Sequence, residues 1–122
     1  MNKSQALNNF WNSFGIPAYD ENSVQDKTPF PYITYSESLD SFENVITFTA
    51  SIWDKNTSWK FVTDKQEEIA KRLGEYGHCI IKLDNGYLFL CKGTPFAQRM
   101  SGLGDNVKRI YLNLIGEFFT KY

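Results

Sequence analysis

The chain contains few of the residues on which most enzymes and secreted proteins depend. It has two cysteines and one histidine among 122 residues, too few for a disulfide framework or a zinc site with several ligands. The sequence also lacks the glycine-rich phosphate loops, the G-x-S-x-G elbow and the H-E-x-x-H zinc motif. These absences favour a protein that has no catalytic activity, metal ion or cofactor.

Long apolar segments and an excess of either charge are also missing. The apolar runs are only a few residues long, against the ~20 needed to span a bilayer, and Met1–Asn9 is too polar for a signal peptide. Thirteen Lys and Arg residues balance fourteen Asp and Glu residues, so no overall basic field attracts nucleic acid. We expect a protein without membrane contact that is made and used in the cytosol, or carried out of the cell inside something else.

The remaining composition is that of one folded domain spanning residues 1–122. Hydrophobic residues make up 42% and charged residues 22% of the chain, which is ordinary for globular proteins. Apolar residues at helical spacing predict a helix over Ser4–Phe14, capped by Ser4 and ended at Gly15, and a second helix over Ser58–Leu73. The stripe of the first helix consists of Leu7, Phe10, Trp11 and Phe14.

Five segments rich in β-branched and aromatic residues predict strands. They are Tyr32–Ser36, Val45–Trp53, Cys79–Leu83, Tyr87–Lys92 and Val107–Ile115. Two helices cannot cover both faces of such a sheet. The order therefore predicts an α+β two-layer sandwich, in which two helices cover one face of a largely antiparallel sheet of four to five strands. The opposite face, with Val45, Trp53 and several tyrosines, is too apolar for water and indicates a partner.

The two cysteines flank a predicted hairpin. A three-residue turn over Asp84–Gly86 places Cys79 opposite Cys91 on one face, so that a cross-strand disulfide is an alternative to two reduced, packed thiols. The reducing cytosol favours reduced thiols. His78 beside Cys79 is an ordinary turn histidine, because neighbouring strand residues point to opposite faces and no motif supplies a group to orient the ring.

The most unusual segment is Gly93–Asn106, which we predict to be a glycine-rich loop between two strands. Its apolar residues Phe96, Met100 and Leu103 need cover, either from the domain's own core or from another subunit. Two interpretations also remain for the nearby cations: weak binding of phosphate, or contact with acidic neighbours. The cations are Lys92, Arg99, Lys108 and Arg109.

Three segments carry a resemblance to a known family: Pro29–Tyr35, Pro95–Met100 and Asn106–Leu114. Through these segments, nearly the whole chain resembles the tail terminator proteins of long-tailed bacteriophages and prophages. Many proteins of this family are termed tail completion or minor capsid proteins. The resemblance implies a structural subunit without cofactor that closes into a hexameric ring on the tail tube. Such a ring ends tube polymerisation and offers its upper surface to the head connector.

The resemblance also implies a place in the virion tail, with assembly in the host cytoplasm and DNA passing only through the ring. No interface residue of the family carries over directly, and we expect the subunit or partner interface in the family-like loop and the last strand, namely at Phe96, Gln98, Arg99, Met100, Leu103 and Arg109. The alternatives are a head-completion or connector-adaptor protein, a small cytosolic binding domain and, last, a thiol enzyme using Cys79 or Cys91.

Overall fold

A computed structural model describes residues 2–25, 27–36, 45–74, 78–101 and 104–120 of the chain. These residues form two helices and one curled, mixed sheet of six strands, which confirms the α+β class. The elements are α1 (Lys3–Asn12), β1 (Ala18–Asp20), β2 (Tyr32–Tyr35), β3 (Val45–Lys55), α2 (Lys60–Arg72), β4 (His78–Leu83), β5 (Gly86–Met100) and β6 (Val107–Thr120).

Helix α1 is held at its start by a reciprocal pair of hydrogen bonds. Asn2 Oδ1 accepts from the Gln5 backbone N–H at 2.8 Å, and Gln5 Oε1 accepts from the Asn2 N–H at 3.1 Å. This capping box satisfies donors that the helix leaves free, so the predicted cap at Ser4 is wrong by two residues. Beyond the helix, Gly15 has a φ of 83°, the left-handed conformation expected after a helix end.

The strand order of the sheet is β1-β2-β3-β6-β5-β4. Only β1 and β2 pair in parallel, and the other four pairings are antiparallel. Helix α1 contacts both edge strands, β1 and β4, whereas α2 lies against the central strands β3 and β6. The curled sheet thus wraps around the helices, and their buried residues join those of the strands in one hydrophobic cluster.

The sheet has more strands, and longer ones, than the sequence pattern predicts. Strand β1 is an addition, since it lies in the polar connection after the first helix. Strand β5 does not end at Lys92 but continues to Met100, with a register irregularity between Lys92 and Ala97. The predicted loop over Gly93–Asn106 is therefore wrong for its first half, because pairing with β6 orders this glycine- and proline-bearing segment.

The hairpin of β4 and β5 differs in register from the prediction. Leu83 pairs with Gly86 across a two-residue turn, and Cys79 pairs with Leu90. A side chain on Gly86 would meet the carbonyl of Phe119 in the adjacent strand, so glycine is needed at this turn. The one-residue shift puts Cys79 and Cys91 on opposite faces, and both are free thiols.

Side chains alternate across the sheet and define its two faces. On β6, residues Ile110, Leu112 and Leu114 are buried under the helices. The residues that pair with them on β3 and β5 lie on the same side of the sheet, which we call the helix-covered face. The intervening residues, such as Arg109 and Tyr111, belong to the opposite side, which we call the helix-free face.

Candidate subunit interface

The helix-free face carries the exposed large apolar side chains of the described residues. Five of them lie on strands at outward positions, and the sixth, Phe30, packs beside the outward-facing Tyr32, with the two ring centroids 5.3 Å apart. Their exposed fractions are 37% for Phe30, 52% for Ile80, 49% for Tyr87, 37% for Met100, 37% for Ile115 and 49% for Phe119. Apolar groups gathered on one face of a small protein are typical of an interaction surface.

One part of this face is a row of four residues that crosses four adjacent strands. Tyr32 of β2 pairs with Trp53 of β3, which pairs with Arg109 of β6, which in turn pairs with Met100 of β5. The rings of Tyr32 and Trp53 stack at 6.1 Å, and the Arg109 guanidinium lies 4.6 Å from the centre of the Trp53 ring. We call these four residues the cross-strand row.

Trp53 and Arg109 of the cross-strand row donate hydrogen bonds to the neighbouring row, and these bonds fix the orientation of both side chains. Trp53 Nε1 donates to Thr34 Oγ1 at 2.9 Å, and Arg109 Nε donates to Ser51 Oγ at 2.9 Å. Thr34 and Ser51 are themselves buried, so the two donors bond to acceptors that are shielded from water. Partial burial also raises the pKa of Tyr32, so this phenol stays neutral over an even wider pH range than an exposed tyrosine. The row is a preorganised surface of stacked rings and one cation.

The second apolar part of the helix-free face lies at the other end of β5 and β6. The rings of Phe89 and Phe119 meet edge to face at 4.9 Å. Register places the remaining members around them on β4, β5 and β6. We call this group the distal apolar cluster; its members are Ile80, Tyr87, Phe89, Ile115 and Phe119. Residues such as Gln98 and Asn113 separate it from the cross-strand row.

The structure brings together some of the predicted interface residues and separates others. Gln98, Met100 and Arg109 share the helix-free face, at the end that holds the cross-strand row. Arg99 belongs to the helix-covered side, where its guanidinium lies 4.8 Å from the Trp59 ring centre. Phe96 is half-buried and packs against the domain's own core, as the self-packing interpretation expects. Leu103 lies outside the described residues.

Sequence reasoning missed that Tyr32 and Trp53 belong with Arg109. Each was assigned to a predicted strand, but their alignment depends on the pairing of three strands that are far apart in the chain. The available signal was the outward position of Trp53 on its strand. Without the strand order, this position did not identify a neighbour.

The groups considered for chemistry have structural explanations. Burial is the main cause that raises the pKa of the Cys79 thiol, and the charge of Arg72 opposes this shift; a raised pKa disfavours the nucleophilic thiolate. Glu68 accepts a hydrogen bond from Lys65 at 3.2 Å on α2, in keeping with a solvated helix face. Within the described ranges, no group of three or more His, Cys, Asp or Glu residues is placed to hold a metal ion.

An open groove of about 720 Å³ lies between α1 and β1. Its lining is mainly polar, and Asn8 Nδ2 donates to the Tyr35 hydroxyl at 3.0 Å within it. The carboxylate of Asp20 accepts from the Asn22 backbone N–H at 2.8 Å, a local turn contact. The polar groups of the groove thus join α1 to β2 and form a local turn after β1.

No model of a known protein family matches the chain, and no curated protein sequence matches it. Neither helix in the described part of the chain is long and apolar enough to cross a membrane.

Proposed function

We propose that the chain is a structural subunit of a bacteriophage tail, a tail terminator that forms a hexameric ring and caps the tail tube. The observation that carries this proposal is the helix-free face, whose exposed apolar side chains are typical of a surface that another protein buries. The sequence resemblance supplies the kind of assembly. In this role the ring ends tube polymerisation and offers a surface for head joining.

The two parts of the helix-free face support a ring more than a two-fold dimer. In a closed ring each subunit uses two different surfaces, one for each neighbour. The cross-strand row is aromatic and cationic, whereas the distal apolar cluster has aliphatic and aromatic side chains beside Glu117. Arg109 and Glu117 are eight positions apart on β6, about 27 Å along an extended strand. Such separation allows each part to contact a different neighbour.

The mass of the protein in solution tests the ring. Light scattering during gel filtration, over a range of protein concentrations, is expected to show a species of six times the chain mass of 14.1 kDa. Electron microscopy of that species should show rings with a central opening. A monomer at every concentration would contradict the proposal.

The position of the ring in the particle separates the leading proposal from its rival. A tail terminator should cosediment with tubes of the tail tube protein and shorten them when it is added during polymerisation. Binding to head particles without any effect on tube length would instead assign the chain to the head-completion adaptors.

A further inference from the structure

One stretch of the sheet has an open backbone edge. Strand β4 covers the outer side of β5 only from Gly86 to Cys91. Farther along, Ala97–Met100 pairs with β6 on its inner side, and within the described ranges no strand lies on its outer side. Backbone N–H and C=O groups at such an edge can pair with another extended chain.

The edge strand at the other side of the sheet is closed by a side chain. Asn12 Oδ1 accepts from the Ala18 N–H at 3.0 Å, and Asn12 Nδ2 donates to the Ala18 carbonyl at 3.3 Å. The amide thus takes the place of a neighbouring strand along β1. The next outward carbonyl, that of Asp20, accepts from the Ser23 N–H at 2.9 Å. The stretch Ala97–Met100 differs from β1 in this respect, because no hydrogen bond between described residues closes its outer backbone groups.

Cations line the helix-covered side of the open edge. Arg99 and Lys108 both lie over the Trp59 ring, at 4.8 and 5.4 Å from its centre, and Lys92 lies 5.7 Å from the centre of the Phe96 ring. Among the described residues, none of these three cations has a carboxylate within 4.0 Å, whereas Lys60 and Lys65 on α2 form ion pairs with Asp64 and Glu68. The edge therefore offers positive charge on one side.

The two sides of the open edge differ in chemistry. Arg99 belongs to the helix-covered side, whereas Gln98 and Met100 belong to the helix-free side. We propose that this edge binds an extended acidic segment of a partner protein, which adds to the sheet as a further strand beside Ala97–Met100. Alternate residues of that segment lie beside Arg99 and are Asp or Glu, and the residues between them lie beside Met100 and are apolar.

Two other occupants fit the edge less well. Pairing of two copies through the same edge would bring Arg99 of each copy close to that of the other, which costs free energy. A nucleic acid would meet the cations but would leave the backbone donors and acceptors of the edge without a strand partner. An acidic strand satisfies both the charges and the backbone.

Synthetic peptides test the site directly. The probe is a fluorescent peptide of about nine residues, long enough for one strand, in which Glu alternates with Val. Its controls are a peptide in which Lys replaces Glu, and a peptide of the same Glu and Val composition arranged in two blocks. Fluorescence anisotropy is expected to show at least about tenfold tighter binding of the alternating Glu peptide than of either control.

Two variants and hydrogen exchange locate the binding. Arg99→Glu changes an exposed side chain and should reverse the preference toward the Lys peptide, and Arg99→Gln should weaken the preference. Arg99 lies over Trp59, which directly precedes α2, whereas Lys71 lies in the last turn of that helix. Lys71→Glu therefore makes the same charge change away from the edge and should leave the peptide preference unaltered. Bound peptide should slow amide exchange within Ala97–Met100. Circular dichroism of each variant checks that the fold is intact.

Several results would overturn the inference. Equal binding of the block peptide would show charge attraction without strand pairing, and unchanged exchange over Ala97–Met100 would place the peptide elsewhere. Tighter binding of an oligo-dT strand of equal charge would assign the cations to nucleic acid. Peptide binding does not require a ring, so the mass measurement that tests the proposed function gives a separate answer.

Discussion

At the scale of single residues, Trp11 links the first helix to the sheet. Its side chain is 1% exposed, its ring stacks on that of Tyr35 at 6.3 Å, and it meets Phe10 edge to face at 4.9 Å. We expect Trp11→Ala to lower the free energy of unfolding by about 3–5 kcal/mol, because a cavity replaces a large buried ring. Urea denaturation followed by circular dichroism measures this loss.

A milder change at the same position serves as the control. Trp11→Phe keeps an aromatic ring in the site and should cost clearly less than the alanine substitution. A midpoint of Trp11→Ala equal to that of the parent would show that the helix contributes nothing to the core of its own chain.

The buried thiol of Cys79 makes the stability of the fold depend on pH. Burial raises the pKa of its thiol above the ordinary value of 9.0, so the folded protein resists forming the thiolate. This contribution to stability is complete below pH 9 and is lost as the pH rises through the folded pKa. We expect the free energy of unfolding to fall above pH 9, and to fall less steeply in Cys79→Ala.

Alkylation provides an independent measurement of the same group. Iodoacetamide should modify the half-buried Cys91 before Cys79, as mass spectrometry of peptides can show. Faster modification of Cys79 would contradict the structural explanation and restore a reactive thiol. Cys79→Ser combined with Cys91→Ser should still assemble, because neither thiol takes part in a disulfide.

Among the secondary-structure elements, β1 allows a direct test of whether the Asn12 side chain protects its outer edge. Asn12→Ala removes both hydrogen bonds to Ala18 and should cost about 1–3 kcal/mol, because it leaves backbone groups without partners in a partly buried site. Hydrogen exchange at the Ala18 amide should quicken. The matched substitution Asn9→Ala changes an exposed asparagine on the same helix and should have a smaller effect at Ala18. Equal exchange rates in the two variants would refute this role.

The elements also show what the sequence could and could not predict. Both helices follow from apolar spacing, since Leu7 and Phe10 on α1 or Val62 and Ile69 on α2 are buried as the stripes require. The extension of β5 to Met100 did not follow from the sequence, because this segment becomes a strand through its pairing with β6 rather than through its local composition. Strand β1 was missed for the same reason: three residues carry too little pattern, and a parallel partner lies beyond a polar connection.

The candidate interface was predictable in kind but not in geometry. The excess of apolar residues on one sheet face was visible in the alternation of the second predicted strand, with Trp53 outward. The cross-strand row was not visible, because it needs the order of four strands. Arg99 and Met100 lie on opposite faces of the sheet. Only the register of β5 reveals this, and a segment predicted to be a loop has no register.

At the level of the whole fold, the two faces of the curled sheet separate the hydrophobic core from the exposed apolar side chains on which the proposed assembly depends. The helices and the helix-covered face form the hydrophobic cluster, whereas the exposed apolar side chains lie on the opposite face. Because the two sets alternate along the same strands, side chains on the helix-free face can be changed without opening a cavity in the core. Assembly and folding are therefore expected to respond to different substitutions.

The distal apolar cluster gives the sharpest test of this separation. We expect Ile80→Thr combined with Phe119→Thr to reduce the mass in solution toward that of one chain, because the two side chains, 52% and 49% exposed, lose apolar area that a neighbour would cover. Threonine suits strands, so circular dichroism and the urea midpoint should stay close to those of the parent. The matched control, Glu67→Thr with Lys71→Thr on the exposed side of α2, should keep the parent mass. If the cluster variant keeps the assembled mass while its fold is intact, subunits contact one another through another surface.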